Sequence, residues 1–568
     1  AFRRNISGTA KQHYINAIKE YNEGQGKIDG VYVNANYSVP SGNIGTSISA
    51  AGPNTPNVVC VSEKDFKGNA YLGYFLPLDD YIDNNAKATM DWNNIPASLY
   101  ERYGYSSTPD ASGKRPIGKG QNLYGLSTGS NPLVLFYRTD MLEQLDINII
   151  SIPEEDLAGT NYLPHGYAEY KNAPATGLKQ GTNKAGKQVY KVFNDQIPMN
   201  WEEIRYLANY IKSAIPSCNY GYNSEYWFEY GWTVGGDCIG WDADKGEYVF
   251  TLNDKTDNYL AIEQINVNGA TIAKGEVLNY EQKNYVNANL SNYEGKLYKL
   301  PSTYEAFVEF NRFCVPTSEM VDIIDEEAIY GYGLAKTSTG SNEQYFKNLS
   351  NPSPFYSAFF SENDTLSTSL IKGKFSIAPE QQYREFEGGS LVDATASLDK
   401  QELKVIGESY SGVVYTGELK KVNGVPVVGK AITASNNEAI CIAKNSDSKK
   451  YEASFKFIKW FESPTCQKII SKGNTRIPLQ SNFAFSSEYL DASERTCNFK
   501  SAVRHTMMSE ISDWGYFDQG RWVTDWSNML NNDVRKGEKT LSEFFFEKVG
   551  VANDALSLMD ERIFRSFL

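Results

Sequence analysis

The chain has 568 residues, 41% of them hydrophobic and 22% charged, which fits a folded protein with ample material for a large core. Its net charge of −14, with no long Lys or Arg run, argues against nucleic-acid binding. Seven widely spaced Cys, no C-x-x-C pair and only three His argue against a disulfide framework and against a zinc site.

In chain order, the apolar spacing of Tyr14, Ile15, Ile18 and Tyr21 predicts a helix over residues 10–24, stopped by Gly24. GVYVN at 30–34 and NVVCV at 57–61 read as buried strands, and LPLDDYIDNN at 76–85 turns into a helix. LVLFY at 133–137 reads as a strand, and TDMLEQL after it begins a helix. NWEEIRYLANYIK at 200–212 is an amphipathic helix with Asn200 as its cap, and a further helix falls at 453–461. Short apolar strands alternating with helices predict an α/β architecture. Polar, Gly- and Pro-punctuated stretches at 104–122 and 152–198, and an Asn- and Tyr-rich stretch at 264–302, read as insertions. No run of about 18 apolar residues is present, so no membrane-spanning helix is expected. The opening Ala1-Phe2-Arg3-Arg4 has no initiator Met and no signal h-region, as in a processed chain.

Three stretches imitate catalytic or ion-binding motifs. Gly125-Leu126-Ser127-Thr128-Gly129 spells G-x-S-x-G, but a turn and the LVLFY strand follow it where a nucleophile elbow needs a helix. Residues 113–120 resemble a phosphate-binding loop but end on Gly120, without the Mg²⁺-binding hydroxyl, and contain Pro116. Asp242-Ala-Asp244-Lys-Gly246 alternates carboxylates as calcium loops do. It lacks the later ligands of such a loop and reads as a hairpin turn. Aromatic residues are 13% of the chain, a surplus that suits stacking on sugar rings.

Six segments, in order, resemble the extracytoplasmic solute-binding proteins of bacterial carbohydrate ABC transporters, of the maltose-binding type. They are TPNVVCVSEKDFKGNAYLGYFLPLDDYI (55–82), LYGLSTGSNPLVLFYRTDMLEQL (123–145), IPMNWEEIRYLANYIK (197–212), WFEYGWTVGGDCIGWDADKGEYVF (227–250), LIKGKFSIAPEQQY (370–383) and ITASNNEAICIAKNSDSKKYEASFKFIKWF (432–461). The resemblance implies a two-lobed α/β periplasmic-binding-protein-like fold, with a ligand cleft between lobes joined by crossing hinge strands. It implies a first lobe of residues 1–126, returning at 395–463. The second lobe is then residues 127–394 and a helical C-terminal part at 464–568, with insertions near 145–197 and 264–302. Ser127 then sits at a hinge, with Gly125 and Gly129 permitting the bend.

The same carry-over implies ligand contacts at Ser62, Glu63, Lys64 and Asp65 after the second strand, and at Ser130 and Asn131 on the cleft floor. Glu225, Tyr226, Trp227 and Trp232 fall on the aromatic segment of the second lobe, and Glu380, Gln381 and Tyr383 on the third cleft segment. Ser435 and Asn436 end the returning strand, and Trp514 is the late stacking aromatic. No catalytic residue, metal or cofactor is expected. The implied partners are an oligosaccharide and the permease subunits of an importer, with no nucleic acid, for a monomer held outside the cell membrane by a lipid anchor or free in a periplasm. Two other readings stay open: a secreted carbohydrate-active enzyme, with a carboxylate pair across the cleft, and the same fold taking a peptide or other polar solute.

Overall fold

The computed structural model describes residues 1–4, 8–38, 44–49, 52, 55–71, 73–105, 122–145, 147–159, 167–169, 181–182, 188–224, 228–242, 247–336, 342–387, 418–433, 437–472, 474–492, 495–508, 510–511 and 519–565. Along the chain, strand β1 (Phe2–Arg3) leads to helix α1 (Gly8–Glu23), and β2 (Ala35–Asn36) is followed by β3 (Val58–Ser62) and α2 (Glu63–Tyr71). After β4 (Leu126–Ser127) come β5 (Leu133–Arg138), α3 (Trp201–Ala214), β6 (Asn223–Ser224), α4 (Glu229–Thr233) and α5 (Thr303–Arg312). Then follow β7 (Phe355–Phe359), β8 (Phe375–Ala378), β9 (Glu438–Ile442), α6 (Tyr451–Phe461), α7 (Pro464–Ile470), α8 (Phe499–Met508), α9 (Gln519–Asp533) and α10 (Leu541–Arg565).

Two sheets organise these elements. The first has the order β2-β1-β3-β9-β4; β1 runs parallel to β2 and β3, and β9 runs antiparallel to β3 and β4. Alternate strand residues separate its two faces. Cys60, Ile440 and Ile442 pack with Tyr14 and Ile18 of α1 and Phe457 and Phe461 of α6, while Val59, Val61 and Cys441 pack with Phe66 of α2. The second sheet has the order β6-β7-β5-β8, with Leu133, Leu135 and Tyr137 on the face covered by α3 and α5, and Val134 and Phe136 on the opposite face with Phe499 and Val503 of α8.

The chain passes between the sheets three times: at 127–133, between Lys430 and Glu438, and at 470–484. The first crossing is where the resemblance puts the hinge. Ser127 lies in β4, buried, with its hydroxyl donating to the Gly129 carbonyl at 2.9 Å. Gly129 takes φ 137°, which favours glycine. Gly125 has a different role from bending: a Cβ there would lie 2.8 Å from Cys441 Sγ and 3.1 Å from the Phe66 ring.

The sequence expectations hold for α1, β3, β5, α3, α6 and the hairpin at Ile239–Asp242 and Glu247–Phe250. Asn200 caps α3 in a capping box, its side chain accepting from Glu203 N–H at 2.8 Å and its own N–H donating to the Glu203 carboxylate at 2.8 Å. The strand expected at 30–34 lies instead at 35–36. Both backbone groups of Val33 are taken by the Asn22 side chain, at 2.8 and 2.9 Å, so Val33 has no strand partner to make. The lobe boundaries also move. Residues 418–430 belong to the second lobe, where Val425 and Val427 join its core, Gly429 N–H donates to the Tyr383 carbonyl at 2.6 Å and Lys430 N–H to the Thr233 carbonyl at 2.7 Å. Helix α7, expected in the second lobe, packs Cys466 and Ile470 against the first-lobe core beside α1. Residues 264–302 form a small core of their own around Ile265, Val267, Val286 and Tyr293.

Candidate functional site

The strand ends of the first sheet and the first crossing bring one group of expected residues together. β3 ends at Ser62, opposite Glu438 at the start of β9. Ser62 Oγ donates to Asp65 Oδ2 at 2.6 Å, so this half-buried pair forms a polar corner at the start of α2. Glu63 offers no open carboxylate: it is 4% exposed and ion-paired with Arg102 at 3.0 Å, on a side chain equally buried. Lys64 lies in α2; its side chain is outside the described residues.

Ser130 and Asn131 meet the same corner through Asn437, whose carbonyl accepts from Glu63 N–H at 2.9 Å and whose Oδ1 accepts from Asn131 N–H at 2.7 Å. The Asn131 side chain turns toward the second lobe, accepting from Ser361 N–H at 2.8 Å and donating to Ser361 Oγ at 3.2 Å. Both are buried, with Ser130 Oγ 3.5 Å from Thr506 Oγ1. Asn437, Asn131 and Ser361 therefore form a polar chain from one lobe through the crossing to the other.

A second corner of charge closes this end. The Glu438 carboxylate receives Arg4, which follows β1, and Arg476 from the third crossing, the latter at 3.0 Å. The Arg4 guanidinium lies 3.7 Å from the centroid of the Tyr14 ring. Two cations on one carboxylate leave the cluster positive, and burial beside this pair pushes the Tyr14 hydroxyl upward.

In the second lobe, Glu380 and Gln381 follow β8 and are buried at 5% and 4% exposure. Ser357 Oγ of β7 lies 2.7 Å from Glu380 Oε1 and 2.8 Å from Glu229 Oε1. Glu229, at the start of α4, also accepts from Tyr222 at 2.8 Å and from Ser224. Burial, and for Glu380 also the Glu229 charge, push both carboxyls above the usual range. Tyr383 is half-buried, donates to Glu385 at 2.5 Å and meets the Trp201 ring edge-on at 5.1 Å. Trp232 does not face a ligand space. It is 2% exposed in the second-lobe core, edge-on to Phe228 at 5.5 Å, because α4 is covered on every side. Glu225, Tyr226, Trp227, Ser435, Asn436 and Trp514 lie outside the described residues, as do 243–246 of the Asp242 turn. Among the described residues no group of three or more His, Cys, Asp or Glu side chains could hold a metal ion.

Solved structures superpose on the whole chain. A substrate-binding protein of an ABC transporter from Listeria monocytogenes, in complex with cycloalternan, matches with TM-score 0.52 and 13% identity, over 98% of this chain and 96% of its own. UgpB from Mycobacterium tuberculosis, in complex with glycerophosphocholine, matches with TM-score 0.55 and 12% identity, over 99% and 98%. The sugar-binding protein MalE from Xanthomonas citri matches with TM-score 0.54 and 12% identity, over 100% and 99%. The fold is that of the ABC-transporter substrate-binding proteins. No family model matches the chain, and no curated protein does.

Within this two-lobed fold, sequence reasoning missed Arg4, Arg102, Ser361, Asn437 and Arg476 around the crossing, and Tyr222, Glu229 and Ser357 in the second lobe. Glu229 and Asn437 were each within a few residues of an expected contact, and Ser357 carried a signal as the one small polar side chain in the apolar strand FYSAF. Arg102 is 39 residues from Glu63 and carried none.

Proposed function

We propose that this chain is the extracytoplasmic substrate-binding component of an ABC importer, capturing an oligosaccharide between its lobes and delivering it to the permease. The observation that carries this reading is the end-to-end match in fold, with two sheets joined by three crossings and a polar chain running from Asn437 through Asn131 to Ser361. In such an architecture a solute that touches both lobes favours the closed form by its differential affinity, which a transporter can read. Ser62 and Asp65 are the proposed polar contacts of the first lobe. Glu225, Tyr226 and Trp227, which continue the chain from β6, with Ser435, Asn436 and Trp514, are proposed from their place in the sequence to supply stacking and further hydrogen bonds.

The enzyme reading finds no support at the carboxyl pair Glu229 and Glu380 of the second lobe. Glu229 and Glu380 are separated by Ser357 and buried at 6% and 5% exposure, with no room for a glycosidic bond. No helix among the described residues is long and apolar enough to cross a membrane. One fold neighbour holds glycerophosphocholine, so a polar solute other than a sugar is the second reading.

A thermal-shift screen over mono- and oligosaccharides, glycerophosphodiesters, amino acids and short peptides tests the proposal, followed by chromatography of the best hit after overnight incubation. A ligand at a hundred times its dissociation constant stabilises by about 2.7 kcal/mol. An oligosaccharide that shifts the melt and returns intact supports the proposal. A shift with peptides or phosphodiesters alone removes the sugar, and a cleaved sugar overturns the transport role.

A further inference from the structure

The contact between Ser357, Glu229 and Glu380 has a hydrogen deficit. Ser357 Oγ carries a single proton, yet it lies within hydrogen-bond distance of two carboxyl oxygens, at 2.8 Å for Glu229 and 2.7 Å for Glu380. Two ionised carboxylates leave one of these contacts as bare oxygen against oxygen. Placing a proton on one carboxyl resolves it, because that group then donates to Ser357 while Ser357 donates to the other. The surroundings decide which carboxyl is ionised. Glu229 already receives the Tyr222 hydroxyl at 2.8 Å and the Ser224 hydroxyl, whereas the Glu380 carboxyl has, besides Ser357, only the Gln381 backbone N–H beside it, and its Oε2 is buried without a side-chain partner.

We propose that Glu229 and Glu380 form a proton-binding site in the second lobe, in which Glu380 holds the proton and donates it to Ser357 while Glu229 stays ionised.

The groups facing the pair leave it otherwise uncompensated. From the Asn223–Ser224 strand and its approach come Tyr222 and Ser224; from α4, Tyr230; from β7, Ser357; from beyond β8, Gln381; and from the turn after α9, Arg535. Arg535 is the cation acting on Glu229 among the described residues, and its guanidinium donates to Asn311 at 3.2 Å and Asn531 at 3.0 Å. Glu309 adds a further negative charge on the Tyr230 side. Burial raises both carboxyls and the Glu229 charge raises Glu380 further, while the Ser357 hydroxyl draws each of them down. Among the described residues no third carboxylate, His or Cys joins the pair to complete a metal's ligand set, so the ligand is a proton.

The sign of the linkage follows. An unfolded Glu titrates near about 4.3. The folded pair keeps a proton above that, so stability is full in acid and is lost as pH rises toward the raised folded value. Glu380→Gln supplies an N–H to Ser357 at every pH and removes the titration. Thermal melts of wild type and E380Q from about pH 5.5 to about pH 8.5 test this, with infrared spectra of both at neutral pH. The expected result is a melting temperature that falls with pH in wild type and falls less in E380Q. E380Q then equals or exceeds wild type at the alkaline end, and the protonated-carboxyl C=O absorbance of wild type is smaller in E380Q by the share of one carboxyl, that of Glu462 remaining. Parallel pH slopes with the same infrared band in both proteins overturn the proposal. So does a calcium chloride addition at the alkaline end that raises the wild-type melt and not that of E380Q. If E380Q fails to fold, the wild-type infrared spectrum with E229Q as its partner decides: no protonated-carboxyl band in wild type overturns the site.

Discussion

Ser130 and Ile477 hold each other by their backbones: Ser130 N–H donates to the Ile477 carbonyl and Ile477 N–H to the Ser130 carbonyl, both at 2.8 Å. One residue belongs to the first crossing and the other to the third. The two crossings are therefore clasped antiparallel at one point, and a rotation of the lobes bends them together.

The residue beside the clasp is the sensitive one. Gly129 has φ 137°, and a Cβ there would lie 3.2 Å from the Ile477 carbonyl oxygen and 3.4 Å from Arg476 Cδ. Gly129→Ala is expected to cost about 1–3 kcal/mol, the price of a strained backbone position. Urea unfolding with an unchanged m-value measures it; a loss below about 0.5 kcal/mol would mean that the clasp tolerates a side chain.

Arg102→Met is expected to destabilise by about 3–5 kcal/mol, because it strands the buried Glu63 carboxylate without its cation. The double variant with Glu63→Leu should recover most of that loss, since two apolar side chains need no compensation. Equal losses in the single and double variants would show that Glu63 carries no buried charge. The pair also explains why Glu63, which looks from the sequence like an open ligand contact, is a structural anchor for the start of α2.

Glu462, at the end of α6, is 1% exposed, and burial alone raises its carboxyl well above the usual range. Its Oε1 has no partner, and the titratable groups facing it include the Cys466 thiol of α7 and the Cys60 thiol of β3, both pushed up by burial. The folded state keeps this proton where the unfolded chain has released it. Stability at this site is thus present in acid and declines as pH rises from about 4.3. Glu462→Gln is expected to flatten part of the wild-type decline, additively with Glu380→Gln, because the two sites lie in different lobes. A pH slope identical to wild type would show Glu462 ionised and hydrated.

The amphipathic helices and buried strands were legible because their signals are local. Tyr14, Ile18 and Tyr21 lie one face apart on α1, and Asn200 with Glu203 spells a capping box. The strand near residue 33 was misplaced because a side chain, Asn22, replaced a neighbouring strand as the hydrogen-bond partner. At the site, position was legible and role was not. Ser62, Asn131 and Glu380 do stand at strand ends or crossings, but what each holds depends on Asp65, Ser361 and Ser357, and the last two come from distant parts of the chain. Trp232 reads as a stacking residue until α4 is found enclosed by the core, which no spacing within WFEYGWT reveals.

Strand β9 sits inside the first sheet, between β3 and β4, yet it comes from residues 438–442. A ribosome making about 5–20 residues per second reaches it on the order of tens of seconds after β3 has emerged. Until then Val58–Ser62 has an open edge rich in β-branched residues, the kind of edge that pairs with other chains. The second lobe's sheet, β5 to β8, is finished before that gap is filled. A nascent chain of this protein thus spends most of its synthesis with its first sheet unfinished, one edge of β3 left bare until residues 438–442 arrive.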